Sequence, residues 1–224
     1  MTIVEINTED NFKELFNDID YNNENIQKNK VFVDVGGYNG DTVTKALECN
    51  SHLKILVIEP IKDLCDLMKQ KFSHNPNITI VNKAAYDKKD NLILNEYSGW
   101  SNGLSTLQPV MVKLRPEGQF TNRILKYTIE ADTIDIILSE NNIRYVDYIK
   151  IDTEGSEENV LCGFTKYHVG TRFHVESHII NLENILQTLL EMGAYIERIT
   201  VMRDGNIRKH VVGSVIGKFT RKGQ

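Results

Sequence analysis

With 224 residues, 41% of them apolar and 25% charged, the chain is long enough to bury a real core and fits one domain better than two. Its formal net charge of −5 argues against nucleic acid as the main partner, because phosphate binding rests on a basic surface. No apolar run approaches the ~20 residues that span a bilayer, Met1–Leu15 shows no basic stretch ahead of an apolar one, and Cys49, Cys65 and Cys162 form no C-x-x-C pair. These features predict a cytoplasmic protein with free thiols and no transmembrane segment.

Thr8 to Ile19 reads as an amphipathic helix, since Phe12, Leu15, Phe16 and Ile19 fall at helical spacing behind a capping Thr8. With the polar stretch after it, this makes residues 1–30 a helical extension of a single domain filling 1–224. From Val31 the pattern becomes strand, turn, helix, repeated. Strands are expected at Val31–Val35, Lys54–Ile58 and Ile78–Val81, with helices at Asp41–Glu48 and Ile61–Phe72. Asn91–Asn95 reads as an extra strand or hairpin arm. The irregular stretch Tyr97–Gln119 is long enough to suggest a functional loop. The alternation resumes with a strand at Lys126–Glu130, a helix at Asp132–Glu140, a strand at Tyr145–Ile151, a helix from Ser156, a strand at Arg172–Val175 and a helix at Leu182–Met192. A hairpin, Ala194–Met202 and Lys209–Lys218 around Asp204-Gly205-Asn206, closes the chain. Such alternation predicts an α/β three-layer sandwich whose mainly parallel sheet carries helices on both faces. Its ligands should lie just beyond the carboxyl ends of the strands.

The residues there are informative. In VFVDVGGYNGDT a buried strand ends in Asp34, and Gly36, Gly37, Tyr38, Asn39, Gly40 and Thr42 lead into a helix. Such a turn lets the backbone approach a ligand closely and exposes unpaired helix N–H groups; a tight turn without a ligand is the plainer alternative. Glu59-Pro60 ends the second strand, about 20 residues on, where a carboxylate suits ribose hydroxyls. The G-x-G-x-x-G spacing of dinucleotide sites is missing. Asp34 would repel a phosphate and suits an ammonium group, which favours S-adenosylmethionine.

Two acidic clusters leave neighbouring strands further on. Asp152 and Glu154 in DTEGSE, like His174, Glu176 and His178 in FHVESH, alternate and would share a face in extended backbone. Glu157 and Glu158 read as dipole-favoured helix starters, and His174 as a packed strand residue.

Together VFVDVGGYNGDT, VIEP, YIKIDTEGSEENVLCGF and VESH resemble the FkbM family of S-adenosylmethionine-dependent methyltransferases, over about Lys30 to His178. Gly37-Tyr38 departs from the pair that the family often carries. The resemblance implies a class I (Rossmann-like) fold with a seven-stranded sheet whose last strand is antiparallel. It also implies O-methylation of hydroxyls on sugars or natural products. By position, Asp34, Gly36 and Gly40 would contact the methionine part of the cofactor, Glu59 the ribose, Ala84 and Ala85 the adenine, and Asp152 the sulfonium.

Asp152, Glu154, Glu176 and His178 are the candidates for general base, His178 or Glu154 foremost. Asp152, Glu154 and Glu176 are also the candidates for a hard divalent cation, Mg²⁺ or Mn²⁺, polarising the acceptor hydroxyl. Tyr97, Trp100, Ser101, Asn102 and Ser105 suit a small-molecule or glycan acceptor, with rings for the apolar face of a sugar and small polar groups for its hydroxyls. The rival readings are a nicotinamide-dependent oxidoreductase on a similar sheet and a non-catalytic nucleotide- or glycan-binding module.

Overall fold

The computed structural model describes residues 30–97, 105–107, 124–178, 182–203 and 211–220. The expected helix Thr8–Ile19 and the hairpin turn Asp204–Asn206 lie outside them.

The first half runs β1 (Val31–Val35), α1 (Asp41–Cys49), β2 (Lys54–Ile58), α2 (Lys62–Lys71), β3 (Ile78–Val81), β4 (Ala84–Ala85), β5 (Asp90–Tyr97) and β6 (Ser105–Thr106). The second runs β7 (Ile124–Asp132), α3 (Ile134–Glu140), β8 (Tyr148–Ile151), α4 (Glu157–Cys162), β9 (Arg172–His178), α5 (Leu182–Glu191), β10 (Ala194–Arg203) and β11 (Val211–Phe219). Seven strands form one sheet in the order β10-β11-β9-β8-β1-β2-β3. β1, β2, β3, β8 and β9 pair in parallel, and β11 runs antiparallel to both β9 and β10. The predicted parallel sheet with a closing antiparallel hairpin is therefore present.

Strand alternation gives the sheet two different faces. Val31, Val33 and Val35 of β1 share a core with Ile149 and Ile151 of β8, Phe173 and Val175 of β9, and apolar residues of α3, α4 and α5. Phe32 turns the other way, into a second core with Val43 and Ala46 of α1 and Met68 of α2. Helices thus cover both faces, and the sheet is the middle of three layers.

Three differences from the sequence reading have local causes. The helix expected from Asp132 starts at Ile134, because Asp132 completes β7 and the Thr133 hydroxyl accepts from the Ile136 N–H to cap it. β8 begins at Tyr148 instead of Tyr145, because Asp147 turns aside to accept from the Val31 N–H and from Lys30. β9 runs on to His178, because β11 pairs with it beyond the end of β8, as far as Val212 opposite His178.

β5, read above as an extra strand or hairpin arm, and β7, read as a strand of the resumed alternation, join β4 and β6 in a second sheet of order β4-β7-β5-β6. Its inner residues, Ala84, Leu94, Ile129 and Ala131, form a small core with Ile61, Tyr86, Leu92 and Leu107. Gly163, at the end of α4, closes the contact between the second sheet and the main body. A Cβ there would lie 2.2 Å from the Tyr86 carbonyl oxygen and 3.3 Å from the Thr133 Cα. The Gly163→Ala substitution must therefore push main chain apart, and should cost about 1–3 kcal/mol in a urea denaturation, as overpacking does.

Candidate active site

Parallel strands leave their following loops at one edge of the sheet, so the turns after β1, β2 and β8 meet there. The closest approach is between backbones. Gly36 has φ 86°, and a Cβ on it would lie 1.9 Å from the Asp152 carbonyl oxygen. No residue with a side chain fits at that point. The turn is held by the Gly36 N–H donating to the Ile58 carbonyl, 2.9 Å, and by the Gly40 N–H donating to Gly37, 2.9 Å.

Glu59 fixes the second turn. It is buried, and its two oxygens accept from the Tyr38 N–H and the Ile61 N–H, each at 2.9 Å. It therefore ties the glycine turn to the end of β2. Burial pushes its carboxyl up to about 7, against those two backbone hydrogen bonds.

The third turn, Asp152–Ser156, is shaped by Glu157. That residue is fully buried, and its Oε1 accepts from the Thr153 and Gly155 N–H groups, both at 3.0 Å. It does more than favour a helix N-terminus: it holds the loop. Glu154 sits within this loop at φ 54°, a left-handed conformation uncommon for a non-glycine residue. Tyr38, in the first turn, does the same at φ 48°. The extended alternation expected of Asp152 and Glu154 is thus absent, since β8 ends at Ile151. The bent loop nevertheless brings both residues to one cavity.

That cavity has a volume of about 160 Å³. Of the residues expected at a cofactor, Gly36, Tyr38, Glu59, Pro60, Ala84, Ala85 and Asp152 line it. Thr153, Glu154 and Ser156 stand beside Asp152, and Ile61, Leu64, Leu94, Leu107 and Ile129 add an apolar wall. Gly37, Asn39, Gly40 and Thr42 do not line it. Gly37 packs against Val57 and Met68, and Gly40 against Phe72 and Met68. Asn39 spends its side chain on Asp41, accepting from its N–H at 3.0 Å and donating to its carboxylate at 2.8 Å.

Asp34 is not a lining residue; it is fully buried, with no hydrogen-bond partner for either carboxylate oxygen among the described residues. Burial pushes it up to about 7; the Lys150 ammonium pulls the other way and Asp152 adds to the rise. Lys150 stands opposite Asp34 in the register of β1 and β8, and its Nζ donates to Asp152 Oδ2 at 2.8 Å. His174 stands opposite Lys150 on β9, buried, with neither ring nitrogen hydrogen-bonded among the described residues. It sits inside the strand, as expected. Burial, aided by Lys150, pushes it down to about 4, so the ring is neutral.

Glu176 shares the strand face of His174 and acts on Lys150, but it is not a cavity-lining residue. His178 is the last residue of β9, opposite Val212. VESH therefore completes a strand instead of following one. Among the described residues, no three His, Cys, Asp or Glu side chains gather to hold a metal ion, so Asp152, Glu154 and Glu176 do not form the expected cation site. Tyr97 and Ser105 belong to β5 and β6, while Trp100, Ser101 and Asn102 lie outside the described residues. No described helix is long and apolar enough to cross a membrane. Among the described residues, Cys49, Cys65 and Cys162 form no disulfide.

Lys150, Glu157 and the apolar wall were not anticipated. Lys150 had a signal, a lone charge inside the apolar strand YIKI. Glu157 had one only in its place three residues after Glu154, and the wall had none.

Known structures share this architecture. The precorrin-6y C5,15-methyltransferase of Geobacter metallireducens matches 94% of this chain and 85% of its own, at 11% identity and a TM-score of 0.50. A SAM-dependent O-methyltransferase of Thermotoga maritima matches all of this chain and 69% of its own, at 10% identity and 0.50. Fibrillarin of Aeropyrum pernix, in complex with S-adenosyl-L-methionine, matches 85% and 67%, at 10% identity and 0.50. At such identities the likeness concerns the fold, which is that of class I methyltransferases. No curated protein matches the chain in sequence. The Methyltransferase FkbM domain, however, matches residues 34–201, from the buried carboxylate of β1 into β10. The chain belongs to the FkbM methyltransferase family.

Proposed function

We propose that the protein transfers the methyl group of S-adenosylmethionine to a hydroxyl oxygen of a small-molecule or glycan acceptor. The observation that carries the reading is the joining of three features in one cavity: the Gly36 turn, the buried Glu59 and the acidic Asp152–Glu154 loop. Family membership favours methyl transfer over the nicotinamide reading.

The residues fit the cofactor. Asp34, buried with no hydrogen-bond partner among the described residues, and Asp152, at the cavity wall, offer negative charge to the cationic methionine part. Each Glu59 oxygen keeps a lone pair for a ribose hydroxyl after serving its backbone N–H. Ile61, Leu64, Ala84, Leu94, Leu107 and Ile129 supply an apolar slot for the base. When bound, S-adenosylmethionine supplies an electrophilic methyl group on a positively charged sulfur. The protein must then orient the acceptor oxygen in line with it and take the hydroxyl proton. Glu154 or His178 is the base. Asp152 orders the cofactor side. The acceptor lies against the segment Tyr97–Ser105, where Tyr97, Trp100, Ser101, Asn102 and Ser105 cluster; Leu94 and Leu107, on either side of that segment, already reach the cavity wall.

Three outcomes are expected. The first concerns pH. Asp34 and Glu59 both ionise about pH 7 in the free protein. A cation and ribose hydroxyls favour their ionised forms, so binding lowers both pKa values and releases protons. Affinity for S-adenosylhomocysteine, measured by calorimetry, should rise as pH increases through 7 and level off above it. Glu59→Gln should weaken it at pH 8 by roughly 1.5–3 kcal/mol, the worth of a hydrogen bond to a charged group. A flat pH profile with an unaffected variant would remove both carboxylates from the site.

The second concerns the base. Loss of a general base costs roughly 10²–10⁴ in rate. Glu154→Gln or His178→Ala should lower kcat to that degree in an assay with labelled S-adenosylmethionine, with affinity for S-adenosylhomocysteine intact. Normal turnover in both variants would leave methyl transfer to positioning alone.

The third concerns the acceptor. In the same assay, run across a panel of sugars and glycolipids, Trp100→Ala should raise the acceptor KM severalfold, as expected where an aromatic ring covers the acceptor. Cofactor affinity should not change; a loss there instead would move Trp100 to the cofactor side.

A further inference from the structure

A lysine is out of place in the middle of β8. Tyr148, Ile149 and Ile151 are buried apolar neighbours, and the Lys150 side chain is only 9% exposed. A buried ammonium without partners is strongly disfavoured. Lys150 is instead surrounded by carboxylates. Asp152 accepts its hydrogen bond at 2.8 Å, Asp34 faces it from β1, and Glu176 acts on it from β9. Burial opposes the charge, and the three carboxylates outweigh burial and hold the ammonium above its ordinary pKa. The other groups near it are neutral His174 on β9 and, beyond, Arg198 on β10.

Asp152 is the member of this set that reaches the cavity. Its main chain is already fixed, by its N–H donating to the Val35 carbonyl at 3.0 Å and by its carbonyl lying against Gly36. On the side chain, Lys150 holds one of the two carboxylate oxygens. We infer that Lys150 is a positioning residue, which fixes the Asp152 carboxylate so that its other oxygen faces the cationic end of the cofactor. Lys150 touches neither cofactor nor acceptor and acts through Asp152. The inference rests on the cofactor reading given above.

The test is a double-mutant cycle on the full chain, with S-adenosylhomocysteine affinity read by calorimetry. Lys150→Met should weaken binding roughly tenfold to a hundredfold, in the range of a charged hydrogen bond. Lys150→Arg should recover part of the loss, since a guanidinium still donates to Asp152. Asp152→Asn should weaken binding too. The double variant Lys150→Met/Asp152→Asn should bind no worse than Asp152→Asn alone, because a residue acting through another has nothing left to act on. A residue that merely supports the fold would add its loss in full in that background. Full addition, or a Lys150→Met protein that binds like the wild type, overturns the inference and leaves the cofactor reading standing. If Lys150→Met does not fold, the double variant, which removes the charge pair together, decides against Asp152→Asn. A wild-type protein that fails to bind S-adenosylhomocysteine overturns the cofactor reading and this inference with it.

Discussion

The space of one methyl group separates this site from a closed sheet edge. At Gly36 the backbone of the first turn passes so near the Asp152 carbonyl that a Cβ would lie 1.9 Å from it. β1 and β8 are parallel neighbours, so their turns leave the same edge and must pass one another. They pass in contact only because residue 36 has no side chain. The positions of Tyr38, Asp152 and Glu154 along the cavity follow from that contact, which sets one side of the cleft against the other.

Two buried glutamates make the arrangement rigid. A buried carboxylate is costly unless its oxygens are bonded, and an unpaired backbone N–H at a strand end is costly as well. Glu59 and Glu157 each offset both costs at once, taking two loop N–H groups apiece. The loops around the cavity are therefore held by side chains from their own flanks. That support allows Tyr38 and Glu154 to keep left-handed backbones that loose loops would relax.

The buried charges of β1 and β8 share one face of the sheet, and this has a cost and a use. Asp34, Lys150 and His174 lie in a row across β1, β8 and β9, while Val33, Val35, Ile149, Ile151, Phe173 and Val175 of the same strands belong to the apolar core of the other face. Asp152, held by Lys150, and Glu154 bring carboxylates to the cleft, and the second sheet adds apolar wall through Leu94, Leu107 and Ile129. A ligand with one cationic end and one flat apolar end matches that polarity.

Much of this could be read from the chain before any contact was known. Period-2 and helical patterns give the order of strands and helices, because those periods are local properties of the backbone. The glycine turn, Glu59 and Asp152 were legible because parallel strands must send such turns to one edge. Other features depended on partners distant in the chain. β9 ran on to His178 because β11 lay beside it, and β5 and β7 became a separate sheet because they found each other across a long connection. Glu154 left the face predicted for it because Glu157 bent the loop, and Glu176 stayed off the cavity because its strand continued. Asn39 and Gly40, which the pattern offers as ligand contacts, meet Asp41 and the Phe72 and Met68 side chains. A sequence pattern says which face a residue occupies while the backbone stays regular. Where the backbone bends, and which buried charge finds which partner, is decided by packing between segments that the pattern does not connect.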